Sequence, residues 1–94
     1  MNIHLKIEGM PQLYKIFRKK KEIDVDFTGN TLRDFVSGLI KKYGAGVKTA
    51  ILDQQGEIDI GLRVAINFSQ FLAYGNRMDT PLNSGDTIHL MTVG

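Results

Sequence analysis

The hydrophobic period of this chain changes from two to 3.6 between residues 27 and 32, and back again after residue 43. Leu32, Phe35, Val36, Leu39, Ile40 and Tyr43 recur at i, i+3, i+4, i+7, i+8 and i+11, along one stripe of an α-helix. Before that stripe, Ile3, Leu5 and Ile7 alternate with His4, Lys6 and Glu8, and Ile23, Val25 and Phe27 alternate with Glu22, Asp24 and Asp26. After it, Leu62, Val64, Ile66 and Phe68 alternate with Arg63, Ala65 and Asn67, and residues 87–93 form a last strand-like run. Several half-buried strands and one amphipathic helix bury all their apolar stripes together only if the helix lies across one face of a sheet.

Local chemistry sharpens the boundaries. Thr31 with Asp34 three residues later resembles a capping box, Lys41 and Lys42 suit the negative end of the helix dipole, and Gly44 suits a helix stop. Gly38 within the helix costs about 1 kcal/mol relative to alanine, and close packing on the sheet is one reason to keep it. Gly9-Met10-Pro11 ends the first strand, and a short helical turn around residues 13–17 fits the connection to the second, its antiparallel partner. Residues 45–61 read as irregular, punctuated by Gly46, Gly56 and Gly61, with at most a short element near Ala50-Ile51-Leu52. Phe71-Leu72-Ala73-Tyr74 reads as a short edge strand, and Asn83-Ser84-Gly85-Asp86 as a turn. The order β-β-α-loop-β-β-β is that of the β-grasp, the ubiquitin-like fold. The expectation is an α+β domain over residues 1–94, with a mixed four- to five-stranded sheet packed on one main helix.

Composition narrows the chemistry. A chain of 94 residues buries about 60% of its unfolded surface, enough for one modest core. It contains no cysteine, so disulfides, thiolate metal sites and cysteine nucleophiles are excluded. No apolar run reaches the length of a membrane span, and the first residues alternate like a strand rather than forming a signal-peptide core, so the expected location is the cytoplasm. Net charge is only +2, but Lys15, Arg18, Lys19, Lys20 and Lys21 fall within seven positions. No aromatic groove pattern accompanies them, so they read as a solvated hairpin connection rather than a nucleic-acid surface.

Catalytic constellations are missing. His4 and His89 sit on strands that neighbour each other in this topology, but no third ligand stands at suitable spacing, so no metal site is expected. Ser37, Ser69 and Ser84 lack a nucleophile-elbow context. Gly44-Ala45-Gly46 is read as lacking the helix start that would cradle a phosphate. Tyr14, Tyr43 and Tyr74 read as edge-of-core residues. The chain is not expected to be an enzyme on its own.

The chain resembles the MoaD/ThiS family of ubiquitin-like sulfur carriers, closer to the MoaD-like branch. Lys20-Lys21-Glu22-Ile23-Asp24-Val25 matches the second strand and Thr31-Leu32-Arg33-Asp34-Phe35-Val36 the helix start. Gly56-Glu57-Ile58 leads into Arg63-Val64-Ala65-Ile66-Asn67, which looks like the family's V-x-V-N strand. Asp79-Thr80-Pro81-Leu82-Asn83-Ser84-Gly85-Asp86 precedes the last strand, as in those proteins. The resemblance implies a carrier that binds no cofactor itself. A ubiquitin-activating-like adenylyltransferase would use ATP to adenylate the carboxylate of Gly94, and a sulfur donor would then convert it to a thiocarboxylate. A molybdopterin-synthase large subunit or a thiazole synthase would be the kind of protein that receives the sulfur. It also implies Thr92, Val93 and Gly94 as the reactive tail, and Phe68, Phe71, Leu72 and Met91 as a docking surface. Val93-Gly94 stands where the family ends in two glycines. The alternative reading is therefore a β-grasp module that binds a partner protein and carries no sulfur.

Overall fold

The strand alternation becomes a sheet with one dry face. The computed structural model describes residues 1–93. In it β1 (Asn2–Glu8) turns Ile3, Leu5 and Ile7 into the core and leaves His4, Lys6 and Glu8 on the opposite face. Met10-Pro11 then starts α1 (Pro11–Ile16), with the proline at the first helical turn, where its missing N–H costs nothing. β2 (Glu22–Asp26) returns antiparallel to β1, with Ile3 opposite Val25 and Leu5 opposite Ile23.

α2 (Leu32–Tyr43) is the main helix. The capping box is complete: the Thr31 hydroxyl accepts from the Asp34 N–H at 3.2 Å, and the Asp34 carboxylate accepts from the Thr31 N–H at 3.2 Å. Hydrogen bonds donated by the Asn30 N–H first, then by the Thr31 hydroxyl and the Thr31 N–H, hold the Asp34 carboxyl below the usual carboxylate range. Gly44 ends the helix with a positive φ of 94°, its N–H donating to the Ile40 carbonyl at 2.7 Å.

The segment read as irregular holds a third helix, α3 (Ala45–Ile51), which starts directly after Gly44 and buries Val47 and Ile51. β3 (Leu62–Ile66), β4 (Gln70–Phe71), a 3-10 turn (Arg77–Asp79) and β5 (Thr87–Thr92) complete the chain. The sheet order is β2-β1-β5-β3-β4, with β1 and β5 parallel and the other pairs antiparallel. This is the mixed five-stranded sheet of a β-grasp, and α2 covers one face of it. β4 is shorter than the sequence suggested, because Leu72 leaves the ladder after donating its N–H to the Val64 carbonyl.

The core runs from Ile3, Leu5 and Ile88 in the sheet to Phe35 and Leu39 on α2, all without measurable exposure. Phe27 meets Phe35 edge-on at 5.6 Å, and Phe17 meets Tyr43 edge-on at 4.9 Å, which ties α1 to the end of α2. Gly38 faces Phe27: a Cβ built there would lie 2.6 Å from the Phe27 Cβ. Gly38→Ala gains about 1 kcal/mol of helix propensity but meets overpacking worth about 1–3 kcal/mol. A net loss of about 1 kcal/mol, read as a fall of roughly 4–8 °C in thermal unfolding followed by circular dichroism, is the expected outcome. An unchanged or raised midpoint would show that the helix can move off Phe27 freely.

Candidate functional site

Two features meet on β5: the end where the strand runs out, and the open face that runs back from it along the sheet. β5 occupies the middle of the sheet, between β1 and β3, with Glu8 opposite Met91 on one side and Leu62 opposite Thr92 on the other. The Val93 N–H donates to the Gly61 carbonyl at 2.9 Å, one step past the last ladder pair. Gly9, at φ 68°, lets β1 turn away beside Thr92, where any Cβ would stand 2.4 Å from the Thr92 hydroxyl. Thr92 therefore ends the strand, and Val93 is tied to the sheet by its N–H. Gly94 lies outside the described residues.

The open face carries the residues that β1, β3 and β5 turn away from α2. Asn67 and Phe68 have φ of 52° and 64°, and the Ser69 N–H donates to the Ile66 carbonyl at 3.3 Å, the geometry of a tight type I′ hairpin turn. Asparagine tolerates this conformation. A phenylalanine there costs about 1–2 kcal/mol. The strained turn projects Phe68 onto the open face, where its ring meets His89 edge-on at 5.5 Å and the Lys6 ammonium lies 5.4 Å from its centroid. Phe68 remains 57% exposed, which removes it from the core to which its place in the alternation had pointed. Phe71 is 56% exposed under the guanidinium of Arg63 at 5.9 Å. Met91 is half-buried on the same face, between Glu8 and Arg63. Leu72 is half-buried and packs against the edge of the core. The structure thus brings Phe68, Phe71 and Met91 together on one face, with Leu72 at its rim.

The histidines share this face but do not meet. His4 stands opposite Thr87 and His89 opposite Lys6. His89 Nε2 is 3.4 Å from the Glu8 carboxylate without hydrogen-bond geometry, and it has no other partner. His4 sits between Glu22 at 2.8 Å and Asp24 at 3.0 Å. Among the described residues no group of three or more His, Asp or Glu side chains could hold a metal ion.

Hydrogen bonds to Glu22, and then to Asp24, raise the His4 pKa above its ordinary value near 6.5. A raised folded-state pKa means that this contribution to stability is fully present below about pH 6.5 and is lost as pH rises through the folded value. His4 is about one-third exposed, so the effect is small. The expected result is a thermal midpoint that declines between about pH 6 and 8 in the parent protein and a flatter profile in His4→Gln. Parallel profiles would show that the pair makes no net contribution.

Fold and site together define a β-grasp domain whose central strand runs beneath an exposed aromatic face and ends beyond it at Thr92. No family model and no curated protein matches the chain by sequence. Solved structures do match it. CysO of Mycobacterium tuberculosis is similar at 17% identity and a TM-score of 0.79, over 98% of this chain and 99% of that one. A chain of the BexX/CysO complex from Amycolatopsis orientalis is similar at 14% identity and a TM-score of 0.78, over 98% and 96%. Urm1 from Trypanosoma brucei is similar at 27% identity and a TM-score of 0.74, over 99% and 92%. The resemblance to ubiquitin-like sulfur carriers of the MoaD/ThiS type thus holds in three dimensions, and what is shared is the fold along nearly the whole chain. Among the described residues no helix is long and apolar enough to cross a membrane.

Proposed function

We propose that this chain is a cytoplasmic sulfur-carrier protein and not an enzyme in its own right. The Gly94 carboxylate attacks the α-phosphate of ATP in a ubiquitin-activating-like adenylyltransferase, and pyrophosphate leaves. A sulfur nucleophile then attacks the acyl carbon and AMP leaves, so that one carboxyl oxygen is replaced by sulfur as a thiocarboxylate. ATP belongs to the partner, and the carrier holds no cofactor. The sulfur passes to an acceptor enzyme such as a molybdopterin-synthase large subunit or a thiazole synthase.

The observation that carries this reading is the position of β5. The strand is held on both sides up to Met91 and by β3 alone at Thr92, so whatever follows leaves from a firmly held strand. Met91 stands beside that exit, and Phe71, Leu72 and Phe68 continue the surface back along the sheet to the level of His89, as a face on which a partner can seat. Thr92, expected as part of the tail, belongs to β5 instead, so Val93 and Gly94 are the residues that then enter the partner's cleft. The likeness to CysO, which is known in complex with BexX, supports a carrier that works through protein partners.

One bond favours the alternative, a β-grasp module that binds a partner without carrying sulfur. The Val93 N–H is committed to Gly61, and a tail entering a cleft must release it, at a cost of about 1 kcal/mol. Intact-mass measurement separates the two. Protein isolated from its own cells without reductant or added sulfide should show one oxygen replaced by sulfur, localised to Gly94. An unmodified Gly94, even after incubation with the adenylyltransferase, ATP and a sulfide source, would leave the binding module.

A further inference from the structure

The fold gathers the cationic cluster at the end where β5 runs out. Lys15 lies in the last turn of α1, and Arg18, Lys19, Lys20 and Lys21 form the connection to β2. The Lys21 carbonyl accepts from the Ile7 N–H at 2.9 Å, and Ile7 stands opposite Leu90. Two inter-strand steps of about 4.8 Å therefore separate Lys21 from β5, about 10 Å in all. Arg18 and Lys19 hold positive φ values of 56° and 64°, so the chain turns sharply there and its side chains splay outward.

All five cations are exposed, and among the described residues none lies within ion-pair distance of a carboxylate. Glu22, the nearest acid in sequence, is engaged by His4. Lys42 faces the same group across a cleft of about 460 Å³ that also includes Arg18, Lys20 and Tyr43. The opposite end of the sheet is acidic: Asp26 pairs with Asn2, Asp34 caps α2, and Asp86 holds Asn67 and Asn83. The net charge of +2 thus conceals an uneven distribution of charge along the strand direction, with Glu8 beside Lys21 and Asp59 beside Gly61 as the acids at the cationic end. An uncompensated patch of this kind steers encounter with a surface of opposite sign.

We propose that this end is an electrostatic docking surface, and that the adenylyltransferase receiving Val93 and Gly94 presents a carboxylate-rich rim to it. The identity of that protein rests on the carrier reading above. The patch orients the tail before short-range contacts form on the aromatic face, so its effect lies in capture, and salt weakens it over a Debye length of about 8–10 Å.

The test is ATP–pyrophosphate exchange catalysed by the adenylyltransferase of the source organism, with this protein as varied substrate at 50, 150 and 300 mM NaCl. The variants are Lys15→Glu/Lys20→Glu/Lys21→Glu and the neutral Lys15→Gln/Lys20→Gln/Lys21→Gln, each checked for an unchanged circular dichroism spectrum. The expected result is a parent kcat/KM that falls about tenfold across the salt series. At 50 mM the charge-reversed protein should lose about tenfold and the neutral one should lie between, with the differences shrinking at 300 mM. A parent protein that supports exchange with neither salt dependence nor a variant effect overturns this inference and leaves the carrier reading intact. A parent protein that supports no exchange at any salt overturns both. If a fluorescein-labelled single-stranded RNA 20-mer binds in a manner abolished by charge reversal, while exchange is insensitive to it, the patch is a nucleic-acid surface and the inference fails.

Discussion

Arg77→Met lowers the stability of this domain by about 3–5 kcal/mol and the thermal midpoint by more than about 12 °C. Arg77 is only 4% exposed, and its guanidinium donates to three carbonyls: Leu62 at 2.6 Å, Ile58 at 2.9 Å and Asp59 at 3.0 Å. The Tyr74 ring lies 4.8 Å from the same group. Among the described residues no carboxylate comes within ion-pair distance of it, so its nearest partners are oriented backbone dipoles, with Asp59 and Glu57 acting from farther off, and burial pulls its pKa downward. Methionine fills a comparable volume, so what is lost is hydrogen bonding. Three buried or half-buried acceptors are stranded, each costing about 1–3 kcal/mol when unmade, and local relaxation recovers part of that. Lysine does not substitute, since one ammonium cannot reproduce a planar fork across three acceptors. The check is denaturant and thermal unfolding of Arg77→Met and Arg77→Lys beside the parent. A loss below about 1 kcal/mol would mean that the 58–62 segment holds its shape without the guanidinium.

The consequence reaches the site. Arg77 fixes the segment that begins β3, Leu62 stands opposite Thr92, and the Gly61 carbonyl holds Val93. A buried cation in the 3-10 turn therefore sets the register of the strand from which the tail departs. Nothing in the sequence around Arg77 announces this, because an isolated arginine among Gly75, Asn76 and Asp79 reads as an exposed loop residue. The guanidinium is buried by chain segments fifteen to nineteen residues away, and only the folded chain brings them together.

What was legible follows the same physical line. β1, β2, α2, β3 and β5 were written in hydrophobic period, since each buries one full stripe against the same core. The helix cap was written in two side chains. α3 was missed because Gly44 and Gly46 read as breakers, although Val47 and Ile51 stand at i and i+4 and form its buried face. Gly44 in fact serves two helices, ending α2 and opening α3. The turn at Asn67-Phe68 was hidden by alternation: the hydrophobic pattern continues through Phe68, while the backbone reverses one residue before it. The asparagine was the available signal. For the site, the aromatic face was legible as a set of residue types but not as a surface, because exposure depends on where the reversal falls.

On the carrier reading, deleting Gly94 is expected to abolish thiocarboxylation and to leave thermal stability within about 0.5 kcal/mol of the parent. The described contacts that secure the end of β5 are the ladder pair of Thr92 with Leu62 and the bond from the Val93 N–H to Gly61. Both lie upstream of the deleted residue, so both are retained. The chemistry loses its reach. The terminal carboxylate moves one residue back along the chain onto Val93, whose N–H is bonded to the sheet and whose branched side chain restricts the backbone. A partner must then break the Gly61 bond and draw β5 itself out of the ladder to bring the carboxylate to a phosphorus atom. Val93→Gly tests the same point from the other side: removing the branch should speed adenylation while Gly94 is retained. Intact mass after incubation with the adenylyltransferase, ATP and sulfide reads the modification, and circular dichroism melting reads the fold. Thiocarboxylate formed on Val93 would show that reach is not limiting. A midpoint lowered by several degrees would show that the last residue holds the sheet instead of serving the partner.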